Sequence, residues 1–249
     1  MSAQKDPARY PFAGTRYLLS HPKLLSGVIC YVIIGIIFAL AALIILLAAA
    51  LKPHAEAFGG EVLGWLLGTI AVFVEAFIIA MIFMKLMVSK AQEQLFVSVM
   101  KLEGCWNDGW EEPTMLSNLI CCCNTTLLLQ MVTLPINLLP VVGTMLYVAL
   151  NAPLASWDLM SLYYDSIGMN EVEQKRKVVG KGCEKINPNT FFGDAHFRFG
   201  MSATFVELVP LLGPTLFTLG NACAAALWSC DIEKEKKRGE EERGLTGAV

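Results

Sequence analysis

Leu138 to Ala155 reads LLPVVGTMLYVALNAPLA, and Leu208 to Ala225 reads LVPLLGPTLFTLGNACAA. Aligned without a gap at an offset of seventy residues, the two share seven of eighteen positions, namely Leu138, Pro140, Gly143, Leu146, Asn151, Ala152 and Ala155 with Leu208, Pro210, Gly213, Leu216, Asn221, Ala222 and Ala225. Shared apolar bias accounts for the leucines and alanines, but not for the joint recurrence of Pro, Gly and Asn. Each copy has a proline, a glycine three residues on, an apolar run with Asn inside it, and then a Trp and an Asp (Trp157 and Asp158; Trp228 and Asp231). A Pro/Gly turn leading into a helix, used twice, predicts two helical hairpins.

The first hairpin is expected over 115–157, with a descending helix, a turn on Pro135, Pro140 and Gly143, and a rising helix. The second is expected over 199–230, turning on Pro210, Gly213 and Pro214. Its descending arm has 11 residues before Pro210, or about 16 Å of helix against a hydrocarbon core of about 30 Å. That arm is too short to cross.

Upstream lie two longer apolar runs. Residues 24–51 carry no charge over 28 positions, about 42 Å as a helix and enough to span a bilayer with tilt. After a Pro/Gly turn over 51–61, a second span covers 62–84. Val88, Ala91, Leu95, Val99 and Leu102 then recur at helical spacing, so this helix is expected to continue to about residue 103 as an amphipathic segment. Residues 158–198 read as a cytosolic connection and 234–249 as a charged flexible tail. The arm before residue 24, with Tyr10, Arg16, Tyr17 and Lys23, has the composition of a headgroup-level anchor.

The chain is 55% hydrophobic and 16% charged over 249 residues, against about 25% charged in an ordinary soluble domain. These features predict an all-α polytopic membrane protein with two long transmembrane helices and two Pro/Gly-turned hairpins. Of 19 Lys and Arg, 4 precede the first run, 3 follow the second, 6 lie between the repeats and 5 are in the tail, leaving Lys52 alone in the remaining loop. The positive-inside tendency then places both termini and both long connections in the cytoplasm, which requires each hairpin to enter and leave by one face. Turns at membrane depth need their peptide groups satisfied by protein or water, so the hairpins are expected to pack on each other or on a second copy. Asn124, Gln130, Asn137, Asn151 and Asn221 supply polar groups for that purpose.

Glu75 lies inside the second run, where a charged group costs on the order of 3 kcal/mol on insertion scales. It reads either as a functional acid or as a hydrogen-bonded one facing a hairpin Asn or Thr. Glu207, three residues before Pro210, reads as a cap of the turn or the lining of a polar cavity. Asn151 and Asn221 suit helix-to-helix hydrogen bonds worth roughly 0.6 kcal/mol each, or a pore lining. Arg198, with His196 beside it, is the best single candidate for an anion or lipid phosphate, and the reading favoured over that one is a headgroup anchor on an interfacial segment. His21 and His54 show no partner at ligand or triad spacing. Gly64 and Gly68 form a GxxxG step that permits close helix contact.

Of the eight cysteines, most sit in apolar runs and read as packing residues, with acylation of Cys121 to Cys123 as the minor reading. No CxxC, metal-ligand spacing, nucleophile–base pairing or phosphate loop is present, so an enzyme, a metal and a cofactor are not expected. No basic patch interleaved with aromatics points to nucleic acid.

YPFAGTRYLLSHPKLL from Tyr10, LPVVGTMLYVALNAPLASWDL from Leu139 and FRFGMSATFVELVPLLGPTLFTLGNACAAALWSCDIEK from Phe197 resemble the fungal lipid-droplet and outer-spore-wall protein family. That family belongs to a wider group with the etoposide-induced endoplasmic reticulum protein and the bacterial CysZ sulfate permease. The resemblance runs from about Tyr10 to Glu233, and its most particular part is Ala226, Leu227, Trp228 with Asp231 and Glu233. It implies a CysZ-like fold of two long helices with hairpins that penetrate partway. It also implies either of two functions. One is a non-enzymatic protein of the endoplasmic reticulum and lipid droplets that organises or scaffolds lipid stores, with membrane lipids, the droplet surface and a homo-oligomer as partners. The other is a sulfate or anion permease. A third expectation is a scaffold whose 158–198 segment recruits proteins.

Overall fold

A computed structural model describes residues 6–112, 132–133, 136, 141–170, 172–174, 195–209 and 213–246. Pro135, Pro140, Pro210, Asn124, Gln130, Asn137 and Cys121 to Cys123 lie outside the described residues. Among the described residues there are helices and turns and no strand. A 3-10 turn over Pro7–Arg9 leads into α1 (Tyr10–Ser20), then α2 (Pro22–Ala49), α3 (Leu51–Ala57), α4 (Val62–Leu102), α5 (Val142–Ser166), α6 (Ala195–Glu207), a π-helical turn over Gly213–Phe217, and α7 (Thr218–Thr246). Asp6 starts the chain of helices by accepting the Ala8 amide at 3.1 Å, with Pro7 in the first position, where an absent N–H costs nothing.

Three boundaries differ from the sequence reading. The Leu51 to Glu61 turn contains a helix, α3, because Pro53 falls in its first turn, where the amide has no intrahelical acceptor to lose. The chain then reverses at Gly59 and Gly60, both at positive φ (104° and 71°). Helix α5 continues through Pro153 and past Trp157 to Ser166. Helix α7 continues through the charged tail to Thr246, where Glu, Lys and Arg are strong helix formers.

The chain divides into two compact units, Met1–Leu25 with Gln92–Val249, and Ser26–Ala91. In the second unit, Phe38 of α2 stacks on Phe83 of α4 with ring centroids 3.7 Å apart. Gly64 and Gly68 bring α4 against the backbone of α3 at Ala55, where a Cβ on either would press on Ala55 itself. Their close contact is therefore with the short helix after the first span. Ile37, Leu40, Ile44 and Ile45 of α2, and Leu63, Leu66 and Phe77 of α4, are each more than half exposed. Pro22–Ala49 and Val62–Ala80 are long and apolar enough to cross a membrane, and only 6% and 22% of their most apolar windows are buried. The core helix of a water-soluble domain buries such a face; these two present it outward.

The first unit has a conventional core. Helix α1 packs along α7 and α6 along α5. Ala222, Cys223, Ala224, Ala225 and Ala226 are all fully buried, so α7 is enclosed on every side of that stretch. Such small side chains let neighbouring backbones approach closely. The nearest approach is Gly14 of α1 against Gly220 and Ala224 of α7, where a Cβ on Gly14 would collide with the Gly220 carbonyl oxygen and the Ala224 backbone. Around this seam Leu18, Phe96, Met100, Met160, Leu162 and Phe199 are buried, each contributing about 1.5–3 kcal/mol.

Gly14→Leu is therefore expected to lower stability by at least the ~1–3 kcal/mol of an overpacked core, read as a lower midpoint in thermal unfolding of the detergent-solubilised protein. Gly239→Ala, near the far end of α7 with only the Arg243 guanidinium near, serves as the control. An unchanged midpoint in Gly14→Leu refutes the seam.

Candidate functional site

Among the described residues, Asn151, Asn221, Glu75 and Glu207 each meet a partner from outside their own helix. Asn221 of α7 donates through Nδ2 to Glu207 Oε1 at 2.8 Å and to the Ala203 carbonyl at 3.3 Å, both on α6. Asn151 of α5 donates to Thr133 Oγ1 at 3.0 Å and to the carbonyl of Tyr147 on its own helix at 2.8 Å. Donation to acceptors fixes the orientation of both amides. Each Oδ1 is then buried with no donor among the described residues. Glu207 thus accepts from Asn221, and Gly213 lies so close that a Cβ there would strike the Glu207 carbonyl. Gly213 and Pro214 sit in the π-helical turn, and Gly143 lies in the first turn of α5. The residue before α5, Val141, has φ 62°, a strained value for a β-branched residue.

Glu75 does not face a hairpin amide. Its Oε1 lies 2.9 Å from Nε2 of His54 on α3. His54 is therefore not isolated, because the reversal after α3 folds it back along α4 from a distance of twenty-one positions in sequence. The His54 Nδ1 is 2.8 Å from the Ala50 carbonyl. A carbonyl only accepts, so Nδ1 carries a proton, and a second proton is shared between Nε2 and the Glu75 carboxyl. The Ala50 carbonyl first, then the bond to Glu75, raise the His54 pKa against the opposing effect of desolvation.

Arg198 and His196, neighbours on α6, have separate surroundings. The Arg198 guanidinium is half exposed and pairs with Asp6 at 2.5 Å. His196 turns inward, with Nδ1 3.2 Å from Ser156 Oγ and Nε2 3.1 Å from the Tyr164 hydroxyl, both on α5. Its ring lies 5.0 Å from that of Trp228, which also packs on Phe199 at 4.9 Å and Tyr10 at 6.1 Å.

Sequence reasoning read Tyr10 and Tyr17 as headgroup-level anchors and did not single out Tyr163, whereas all three hydroxyls meet carboxylates. Tyr10 donates to Asp231 at 2.6 Å, Tyr163 to Glu233 at 2.5 Å and Tyr17 to Glu103 at 3.0 Å. Burial first, then the carboxylate bond, push the Tyr17 hydroxyl up to about 12, and the same causes raise Tyr10 and Tyr163. All three stay protonated and act as donors. The acid pair Asp231 and Glu233 was visible in sequence; its tyrosines lie 221 and 70 positions away, beyond any local spacing rule. No group of His, Cys, Asp and Glu among the described residues could hold a metal ion.

Protonated His54 stabilises the second unit below its ordinary value near 6.5, and that contribution is lost as pH rises through its raised folded value. The thermal midpoint of the purified protein is expected to fall across this window. In His54→Asn and Glu75→Gln the slope is expected to flatten; slopes equal to that of the parent protein reject the pair as its origin.

No curated protein and no solved structure matches the chain. A family model described as sulfate transporter CysZ/etoposide-induced protein 2.4 matches residues 10–183. The match takes in α1 to α5, including the Leu138 to Ala155 stretch, and stops before α6 and α7. With more than half of its length matched and two long apolar helices turned outward, the chain belongs to that family of membrane proteins.

Proposed function

We propose that the chain is a non-enzymatic integral membrane protein of the endoplasmic reticulum that also reaches lipid droplets and organises or scaffolds lipid stores. The observation that carries this reading is the second unit, whose described apolar side chains face outward while Lys52 pairs with Glu56 and His54 with Glu75. A hairpin entering a droplet would strand Lys52, His54, Glu56 and Glu61 away from water. Lys52 lies 3.8 Å from Glu56, and His54 bonds Glu75, so most of that charge travels as pairs, which lowers the desolvation cost.

In this reading both termini are cytoplasmic, and the segments 115–157 and 199–230 enter and leave by the cytoplasmic face, packed on each other or on a second copy. Support for their being repeats comes from the asparagines. Asn151 and Asn221 each reach back eighteen residues, to Thr133 and Ala203, which keep the same offset of seventy. A droplet monolayer has no far aqueous face and suits segments that return.

A second reading, an anion permease, draws on the family description, which names a sulfate transporter. It needs a cation available to the anion. Arg198, the best candidate in sequence, is held by Asp6, which argues for the lipid reading.

A tail-tagged copy in oleate-loaded cells is expected to form rings around neutral-lipid droplets, and confinement to bilayer compartments would overturn the droplet role. In reconstituted vesicles Arg198→Gln is expected to leave sulfate flux at the background level of the unaltered protein; a saturable flux that this change abolishes would establish the permease instead.

A further inference from the structure

A cleft of about 210 Å³ opens between the start of α1 and one stripe of α7, closed at its end by the last turn of α4. Its size is below the roughly 300–1,000 Å³ of pockets for drug-sized molecules, and suits a small polar group. The α7 stripe is set by helical spacing: Leu227, Cys230, Asp231 and Lys234 fall at i, i+3, i+4 and i+7. Arg9, the last residue of the 3-10 turn, and Tyr10, the first of α1, face it, and Glu103 follows directly on the end of α4. All belong to the first compact unit.

The charges are two of each sign. Arg9 is exposed and makes no ion pair among the described residues. Lys234 is 3.9 Å from Glu103 and about half exposed, so water screens the pair and it opens easily. Asp231 is held by the Tyr10 hydroxyl, and the Tyr10 ring forms part of the wall. An inorganic anion placed here meets Arg9 and Lys234 but also two carboxylates. A bare cation meets the carboxylates but also two bases. A molecule carrying both charges matches all four, with a phosphate toward the guanidinium and ammonium and a quaternary or primary amine toward the carboxylates and the aromatic face.

We infer that this cleft binds a zwitterionic phosphodiester headgroup, of the phosphocholine or phosphoethanolamine class. The ligand's membrane source rests on the membrane reading above, since α1 exposes Phe12 and Leu19 on its outer side, and these would set the cleft at headgroup depth. The headgroup chemistry itself rests only on the cleft.

The test uses the full chain purified in a maltoside detergent, which carries no phosphate, with glycerophosphocholine, inorganic phosphate and choline as separate titrants in calorimetry. Glycerophosphocholine is expected to bind saturably and at least tenfold more tightly than phosphate or choline. Both Arg9→Gln and Glu103→Gln are expected to weaken it at least tenfold while the unfolding midpoint stays within a few degrees. Lys234→Gln, at a more exposed position, provides an independent variant should Glu103→Gln unfold. Phosphate binding as tightly as glycerophosphocholine, with dependence on Arg9 alone, would overturn the zwitterion and leave a simple anion site. Absence of saturable binding by any of the three overturns the site altogether. Because the titrants are soluble and the protein is in detergent, neither negative result depends on where the protein resides in cells, so failure here and failure of the droplet reading are distinguishable.

Discussion

A carboxylate taken out of water without a partner costs several kcal/mol, and an apolar chain with few charges has few ways to meet that cost. Among the described residues, four acids in or beside apolar helices are each met by a side chain from a different helix. Glu75 has His54, Glu207 has Asn221, Asp231 has Tyr10 and Glu233 has Tyr163. These pairings specify which helix lies beside which. Apolar contact alone is tolerant of rotation and sliding, whereas a hydroxyl 2.5–2.6 Å from a carboxylate is not.

The two units use their apolar residues in opposite ways. In the first, small residues on α7 let α1 approach to backbone contact, and large side chains from α4, α5 and α6 fill the remaining space. Packing of this kind is as available in water as in lipid. In the second, Phe38 of α2 stacks on Phe83 of α4, and many of the large apolar side chains of both helices face outward. The family assignment and this outward surface agree, since a two-helix unit so exposed is stable only where the surroundings are themselves apolar.

The same contrast explains why polar chemistry collects where it does. His196, Trp228, Tyr164 and the three tyrosine–acid pairs lie in the first unit. The cleft beside them inherits two bases and two acids because the α7 stripe runs from apolar Leu227 to charged Lys234 within two helical turns.

Two features could be read from consecutive residues alone, the helical class and the two long apolar spans, because hydrophobic length and period 3.6 are properties of neighbouring positions; the continuation of α7 through Lys234 to Thr246 was not among them. The sequence marked Glu75, Glu207, Asn151 and Asn221 as groups in need of partners, since polarity inside an apolar run is visible without coordinates, and named Asp231 and Glu233 only for their family resemblance. It misjudged Leu51 to Ala57, where Pro53 was compatible with a first helical turn, and it left His54 without a partner. Tertiary structure alone decided who answers whom. His54 reaches Glu75 only after the chain reverses at Gly59 and Gly60, and Tyr10 reaches Asp231 only because Gly14 and Gly220 allow α1 to lie against α7. Such contacts depend on the angle and depth at which distant segments meet, and no local spacing carries that information.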